Sequence, residues 1–242
     1  SPSLPLHFLL LLLLLFLSLS HTPLPGAANA MAHALHRGKT HSAVSVVGRA
    51  ALAVAKGFTR KVDVIHVKSE EEVVYALSVF GWGLAGAVAL KADKLRWIPG
   101  QKRFRYDLAG FVTMIQDWPV VDRAILDYVE EVKNEETGEV LKVWKKTEIG
   151  CINLVATNLS YLGNDHPIWP DVQPDDGYVA LSYIDAKNGR MDVVRLAMAM
   201  KSGKFLGQQD GVVTYKLKEF KLTPTEAKRL GVFFFFLKKK KR

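Results

Sequence analysis

Arg96 and Arg103 stand on either side of Pro99 and Gly100 in the stretch "KADKLRWIPGQKRF", Lys91 to Phe104. Arginine presents a planar fork of donors and never loses its charge, so two of them across a rigid turn make a candidate clamp for an anion such as a nucleotide phosphate. The same residues serve equally well as a solvated turn between two helices, because charge runs usually face water. Spacing alone does not separate the two readings.

The other reactive side chains form weaker constellations. Of His33, His36 and His41 only the first two share a helix face, and no carboxylate or cysteine is positioned to complete a metal site. Asp175 and Asp176 precede Gly177 as turn residues do. Asp165 and His166 lack the serine partner of a triad. Arg103, Arg105 and Tyr106 mix basic and aromatic residues in the manner of nucleic-acid binders, but no reader motif surrounds them and no nucleic-acid partner is expected. Cys151 is the single cysteine, which excludes an internal disulfide framework, and between Gly150 and Ile152 it reads as a small core residue.

These groups need a scaffold. The 242 residues are 49% hydrophobic and 10% aromatic, enough for one large domain or one domain with part of a second. The formal charge is +9, but five of those charges close the chain from Lys238 to Arg242, so the body is only mildly basic. At the other end "FLLLLLLLFL", Phe8 to Leu17, is too short to span a bilayer and has the length of a secretory h-region, followed by small residues such as Ala28 and Ala30. No methionine or basic residue precedes it. Both low-complexity ends read as gene-model artefacts or fragment boundaries.

Between the ends, a helix is expected from Ala27 to Gly38 and a second from Ser42 to Lys56, capped by serine and stopped by Gly57. "KVDVIHVKS" from Lys61 and "EVVYALSVFGWG" from Glu72 read as an antiparallel strand pair turning around Ser69 to Glu71. Helices follow over Ala85–Arg96 and Gln101–Gln116. Val120 to Ala156 reads as a long hairpin with turn residues Thr137 and Gly138, and a strand follows Gly177. "DVVRLAMAM" is helical, and Val212 to Leu222 reads as one alternating strand. Short strands with few helices predict a mainly antiparallel sheet, a sandwich.

Five segments in order, "LPGAANAMA", "FGWGLAGAVALKADKLRWIPGQKRF", "NLSYLGNDHPIWPDVQPDDGYVALSYI", "RLAMAMKSGKF" and "KEFKLTP", resemble the sphingosine kinases and their ceramide and diacylglycerol kinase relatives, from about Leu24 to Phe233. The resemblance implies an α+β, mainly β fold: an antiparallel β-sandwich-like C-terminal lipid kinase domain with a few helices and a remnant of an N-terminal α/β domain. It implies a leader over residues 1–23, a helical remnant over 24–57, a β-rich domain over 58–233 and a basic tail over 234–242. The family's Gly-Gly-Asp-Gly motif, whose aspartate resembles the general base, would lie upstream of Leu24, and its Asp-Gly-Glu would follow "KRLGVF". Neither occurs in the sequence, so no catalytic residue is assigned and the chain by itself is expected to be inactive.

By the same resemblance Arg96 and Arg103 match arginines that contact ATP phosphates, although Pro99 adds one residue between them, and Gly26 matches a segment passing close to the nucleotide. Leu84, Ala85, Val88 and Ala89 fall on the helix that meets the lipid. Ala89 stands where sphingosine kinases carry the aspartate that holds the substrate's amino head group, which leaves ceramide, diacylglycerol or another lipid open. ATP and Mg2+ are the implied cofactors, a lipid substrate and a membrane surface the implied partners, and a cytoplasmic, peripherally membrane-associated protein the implied setting. The rival reading takes the leucine run as a true signal and the chain as a secreted or membrane-tethered, non-catalytic β-sandwich binding module. A second rival has the Lys238–Arg242 tail binding anionic lipid or nucleic acid.

Overall fold

The computed structural model describes residues 34–35, 46–69, 73–98, 102–118, 121–133, 140–162, 166–225 and 233–238. Gly26, the three histidines, the Thr137–Gly138 turn, Pro99, Gly100, Asp165 and the leucine run lie outside them. Of the helix expected from Ala27, only Ala34 and Leu35 are described, and both are helical. The elements run α1 (Val46–Ala55), β1 (Val64–Lys68), β2 (Val73–Ala76), β3 (Val79–Gly83), α2 (Leu84–Lys94) and α3 (Lys102–Gln116). They continue with β4 (Asp122–Lys133), β5 (Val140–Thr157), β6 (Val179–Asp185), α4 (Arg190–Lys201), β7 (Val212–Leu217), β8 (Glu219–Pro224) and β9 (Phe233–Lys238).

Strand β5 organises the rest. Its first half, "VLKVWKK", carries lysines and is exposed, whereas "CINLVAT" from Cys151 is almost wholly apolar or small and is buried on both faces. That composition is what a strand covered from two sides requires. β4 pairs antiparallel with Val140 to Cys151 of β5, and where β4 ends β3 takes over the same edge, opposite Asn153 to Thr157. β6 occupies the other edge from Cys151 to Thr157, with a register shift between Cys151 and Asn153. The sheet is continuous in the order β2-β1-β9-β8-β4-β5-β6-β7, with β3 set beside β5, and every recorded pair is antiparallel.

Side chains from both arms of this sheet meet in one core. Ile65 and Val67 of β1, Trp82 of β3, Leu126 of β4, Cys151 and Leu154 of β5, Leu181 of β6 and Phe220 and Leu222 of β8 pack together. The fold is therefore the expected mainly antiparallel, sandwich-like one with a few helices. On the other face of β5 and β6, Ile152 and Ile184 pack with Phe111 and Met114 of α3, Leu84 of α2, and Val193, Val194 and Leu196 of α4. At the far corner, Asp63 joins three segments: its amide donates to Pro174, its carboxylate accepts from the Gly177 amide at 2.7 Å, and its carbonyl accepts from the buried Asn158 side chain.

Two expected strands divide. "EVVYALSVFGWG" breaks at Leu77–Ser78, so that β2 pairs with β1 while β3 pairs with β5. Val212–Leu222 breaks at Lys218, with β7 beside β6 and β8 beside β4. The second break has a visible cause: Val213, Tyr215 and Leu217 share one parity and Phe220 and Leu222 the other, so one unbroken strand would turn half its apolar residues outward. Phe233–Lys238, where no element was expected, forms a strand between β1 and β8.

The passage from β3 into α2 sets the position of the candidate site. Trp82 is buried in the core, and Gly83 turns the chain with φ 79° and ψ −131°. A Cβ at Gly83 would lie 2.7 Å from the Ile152 carbonyl oxygen. The first turn of α2 is capped from across the sheet, where the Asn153 side-chain oxygen accepts from the Ala85 amide at 2.8 Å. Gly57, at φ 69° with open space around it, provides the comparison. In urea unfolding, Gly57→Ala should cost about 1 kcal/mol, from its left-handed backbone alone, and Gly83→Ala about 3 kcal/mol, because the Ile152 carbonyl must also move. Equal losses would show that the close approach carries no weight.

Candidate anion-binding site

Helix α2 ends in a turn rather than a clean stop. The amides of Leu95, Arg96 and Ile98 bond back to the carbonyls of Ala92, Asp93 and Leu95, so residues 95–98 continue as a tightened coil. Helix α3 then packs back against α2. From its first turns the Arg105 guanidinium Nε–H donates to the Ile98 carbonyl at 3.0 Å, tying α3 to the residue before Pro99. Between the two helices lies an open groove of about 560 Å³ lined by Ala92, Asp93, Arg96, Arg105 and Tyr106.

Two guanidiniums thus face one groove, and they are held differently. Arg96 pairs with Asp93 at 2.5 Å, three residues back, with 76% of the arginine and 59% of the aspartate side chain exposed. Such a pair contributes about 0–1 kcal/mol in water, so an anion with better geometry can displace Asp93 cheaply. Arg105 is anchored through one nitrogen to a carbonyl and forms no ion pair among the described residues. Lys91, one turn before Arg96, is tied to Asp117 at 2.8 Å.

Arg96 lies in the groove, and Arg105 is a second described guanidinium on it. Arg103 sits in the first turn of α3 and its side chain lies outside the described ones. Arg105 and Tyr106 were visible in the sequence only as a basic-aromatic mixture. The signal for Arg105 is the phase of α3: the fully buried Ala109 and Thr113 follow it at i+4 and i+8, on the same side of the helix.

The residues expected to meet lipid are dispersed. Leu84 packs into the second core, Ala85 and Val88 are half-buried, Ala89 is exposed, and none of the four lines the groove. Among the described residues no group of three His, Cys, Asp or Glu could hold a metal. The groove's one carboxylate, Asp93, is already taken by Arg96, so the residues present do not make a Mg2+ site. Asp175 and Asp176 are turn residues, as expected: Asp176 accepts from the Tyr178 amide at 2.9 Å and pairs with Lys216, and Asp175 pairs with Arg60. Cys151 is fully buried, and burial first, then Asp122 and Asp185, push its thiol up to about 12.

No protein-family model matches the chain. Over 112 residues, 46% of its length, it is 30% identical to the mitochondrial acylglycerol kinase of Mus musculus and 29% identical to that of Homo sapiens, a match that spans 23% of each relative. Among solved structures, a candidate diacylglycerol kinase from Bacillus anthracis str. Sterne superimposes with a TM-score of 0.52 at 16% identity, covering 87% of this chain and 63% of that one. A second structure of such a protein from the same organism gives 0.50 at 15% identity, over 87% and 64%. The fold is that of these diacylglycerol kinase structures. The sequence relatives are lipid kinases, acylglycerol kinases in particular, which bears out the resemblance drawn from the motifs.

The Cys151 environment gives a check on the core beside the site. Native protein should react with iodoacetamide at least a hundredfold more slowly than urea-unfolded protein near neutral pH, on the order of what burial of a thiol inside a stable core imposes, because the thiol is both shielded and held protonated. Fast labelling would mean β5 is accessible in the native state.

Proposed function

We propose that this chain supplies the phosphate-gripping part of a lipid kinase, one that transfers a phosphoryl group from ATP to a hydroxyl of an acylglycerol or diacylglycerol. The observation that carries the reading is the common groove of Arg96 and Arg105, in a chain whose sequence relatives are lipid kinases. Phosphoryl transfer spreads negative charge over the oxygens of the moving group, and fixed donors at that point stabilise it. Arg105 is the fixed donor, because Ile98 already orients its guanidinium. Arg96 is the adjustable one, exchanging Asp93 for phosphate.

A glycerolipid is favoured over a sphingoid base for two reasons. The curated relatives are acylglycerol kinases. Position 89 is an exposed alanine, which cannot pair with an ammonium head group. Mg2+ enters this reading with the nucleotide, whose phosphates it neutralises, rather than through the groove. The 242 residues contain no Gly-Gly-Asp-Gly, and the reading assigns the base to such a motif, so turnover by the chain alone is not expected.

Calorimetric titration of the full chain with tripolyphosphate and with ATP tests the grip apart from turnover. Charge-assisted hydrogen bonds of this kind are worth about 1.5–3 kcal/mol, so Arg96→Gln and Arg105→Gln should each weaken binding by about tenfold or more. Loss of binding in Arg103→Gln with Arg105→Gln unaffected would move the second guanidinium of the grip from Arg105 to Arg103, the companion that the resemblance implies. Failure of the unsubstituted chain to bind either polyphosphate would overturn the reading.

A further inference from the structure

Between the end of β6 and the start of α4 the chain reads Asp185-Ala186-Lys187-Asn188-Gly189, and Asn188 is the one asparagine in the sequence that glycine follows. Asparagine before glycine is chemically the least durable setting for this side chain, because no Cβ shields the backbone nitrogen that can attack its amide and the backbone can turn to bring the two together. The groove makes no use of this corner.

Both hydrogens of the Asn188 amide are taken. Nδ2 donates to the Asp185 carbonyl at 2.9 Å and to the Gly211 carbonyl at 2.9 Å, so one side chain joins the end of β6 to the residue before β7. The backbone repeats the connection: the Asn188 amide donates to the Asp185 carbonyl and the Asp185 amide to the Gly211 carbonyl. The Gly189 N–H donates to Asp192 Oδ2 at 2.9 Å, and a carboxylate beside that nitrogen opposes the loss of its proton. Helix α4 starts from this corner and carries Val193, Val194 and Leu196 into the second core, which also holds Leu84 of α2 and Phe111 and Met114 of α3.

We propose that Asn188–Gly189 is a self-modifying site gated by the fold: inert while the corner is closed, and converted to aspartate or isoaspartate, with no enzyme, when the corner opens. In the open corner the Gly189 nitrogen gives up its proton and bonds to Asn188 Cγ; the Cγ–Nδ2 bond breaks and ammonia leaves with that proton. Water then adds to either carbonyl of the resulting cyclic imide and breaks one of its C–N bonds, leaving a carboxylate. Water is the only co-reactant. The amide offered two donors to the two carbonyls, whereas the carboxylate that replaces it offers none, and it adds negative charge to a segment that already holds Asp185 and Asp192. Both carbonyls lose their partner, so the corner does not reclose. A local opening is thereby converted into a permanent covalent change. The site is independent of the lipid-kinase reading.

Two neighbouring glycines make the test specific. Both have left-handed backbones, Gly211 at φ 78° and Gly203 at φ 91°. A Cβ on Gly203 meets nothing, whereas on Gly211 it would overlap the Asn188 side-chain amide. Gly211→Ala therefore displaces Asn188 in addition to a backbone cost that Gly203→Ala shares.

The full chain is held at mildly alkaline pH, native or in urea, and the peptides covering each asparagine are followed by mass spectrometry. In urea Asn188 should be the first asparagine converted. In the native chain its conversion should be about a hundredfold slower than in urea. Gly211→Ala should speed the native reaction by about tenfold or more, and Gly203→Ala should leave it within about twofold. Asp192→Asn, which keeps an acceptor for the Gly189 N–H but removes the charge, should speed it by about fivefold. Asn188→Asp, the product itself, should melt about 5 °C below the unsubstituted chain.

Equal rates in the native chain and in urea would overturn the proposal, as would another asparagine converting ahead of Asn188 in urea. So would Gly211→Ala and Gly203→Ala that convert alike, or Asn188→Asp that melts with the unsubstituted chain. Should Gly211→Ala fail to fold, Asp192→Asn decides, and an unchanged native rate in that variant counts against the gate.

Discussion

The arrangement depends on one close approach, that of the Gly83 backbone to the Ile152 carbonyl. β5 is paired along both edges where it passes this point and covered on both faces, so Ile152 cannot yield without disturbing β3, β6 and two cores at once. The chain coming off β3 must turn there with a backbone that suits only glycine. It must also begin α2 beneath Asn153, which caps a helix it is not part of. The direction of α2, and so the place where its last turn delivers Arg96, is fixed at the opposite end of the helix from the groove.

Anchoring at one end and exposure at the other give the groove its electrical character. Around Gly83 the polar groups are held: Gly83 pairs with Asn153 in the sheet, and the Asn153 side chain accepts from the Ala85 amide. Around Arg96 the partner is a neighbour on the same turn, held in water. An exposed i,i+3 pair contributes little to stability, so Asp93 acts less as a brace than as a placeholder that keeps the guanidinium near the groove. Arg105 is the contrasting case: a carbonyl hydrogen bond orients it, and among the described residues no carboxylate pairs with it. One oriented and one displaceable guanidinium combine preorganisation with the freedom to admit a ligand, which two rigid or two mobile arginines would not.

Much of this was legible in the sequence. The apolar run "CINLVAT" announces a doubly covered strand, and the helices expected over Ala85–Arg96 and Gln101–Gln116 match α2 and α3 to within two residues at each end, because apolar period and the Pro99–Gly100 break agree. The divided strands are less legible: alternation holds within each half of Val212–Leu222, and only the parity change between Leu217 and Phe220 records the break. Arg96 is legible as a candidate, whereas the place of Arg105 on the same groove is not. Sequence spacing measures distance along the chain, whereas the groove is formed by α3 folding back on α2, and that depends on which side of α3 faces the sheet.

The same folding back divides α2 between two tasks. Leu84, in its first turn, enters the helix cluster over Ile152 and Ile184, and that burial helps hold the start of α2 to the sheet. Its far end leaves Leu90, Arg96 and Trp97 largely in water. An element anchored in a β-core at its start and open to solvent at its end can hold a guanidinium at a groove, and let it exchange partners there, without the sheet having to move.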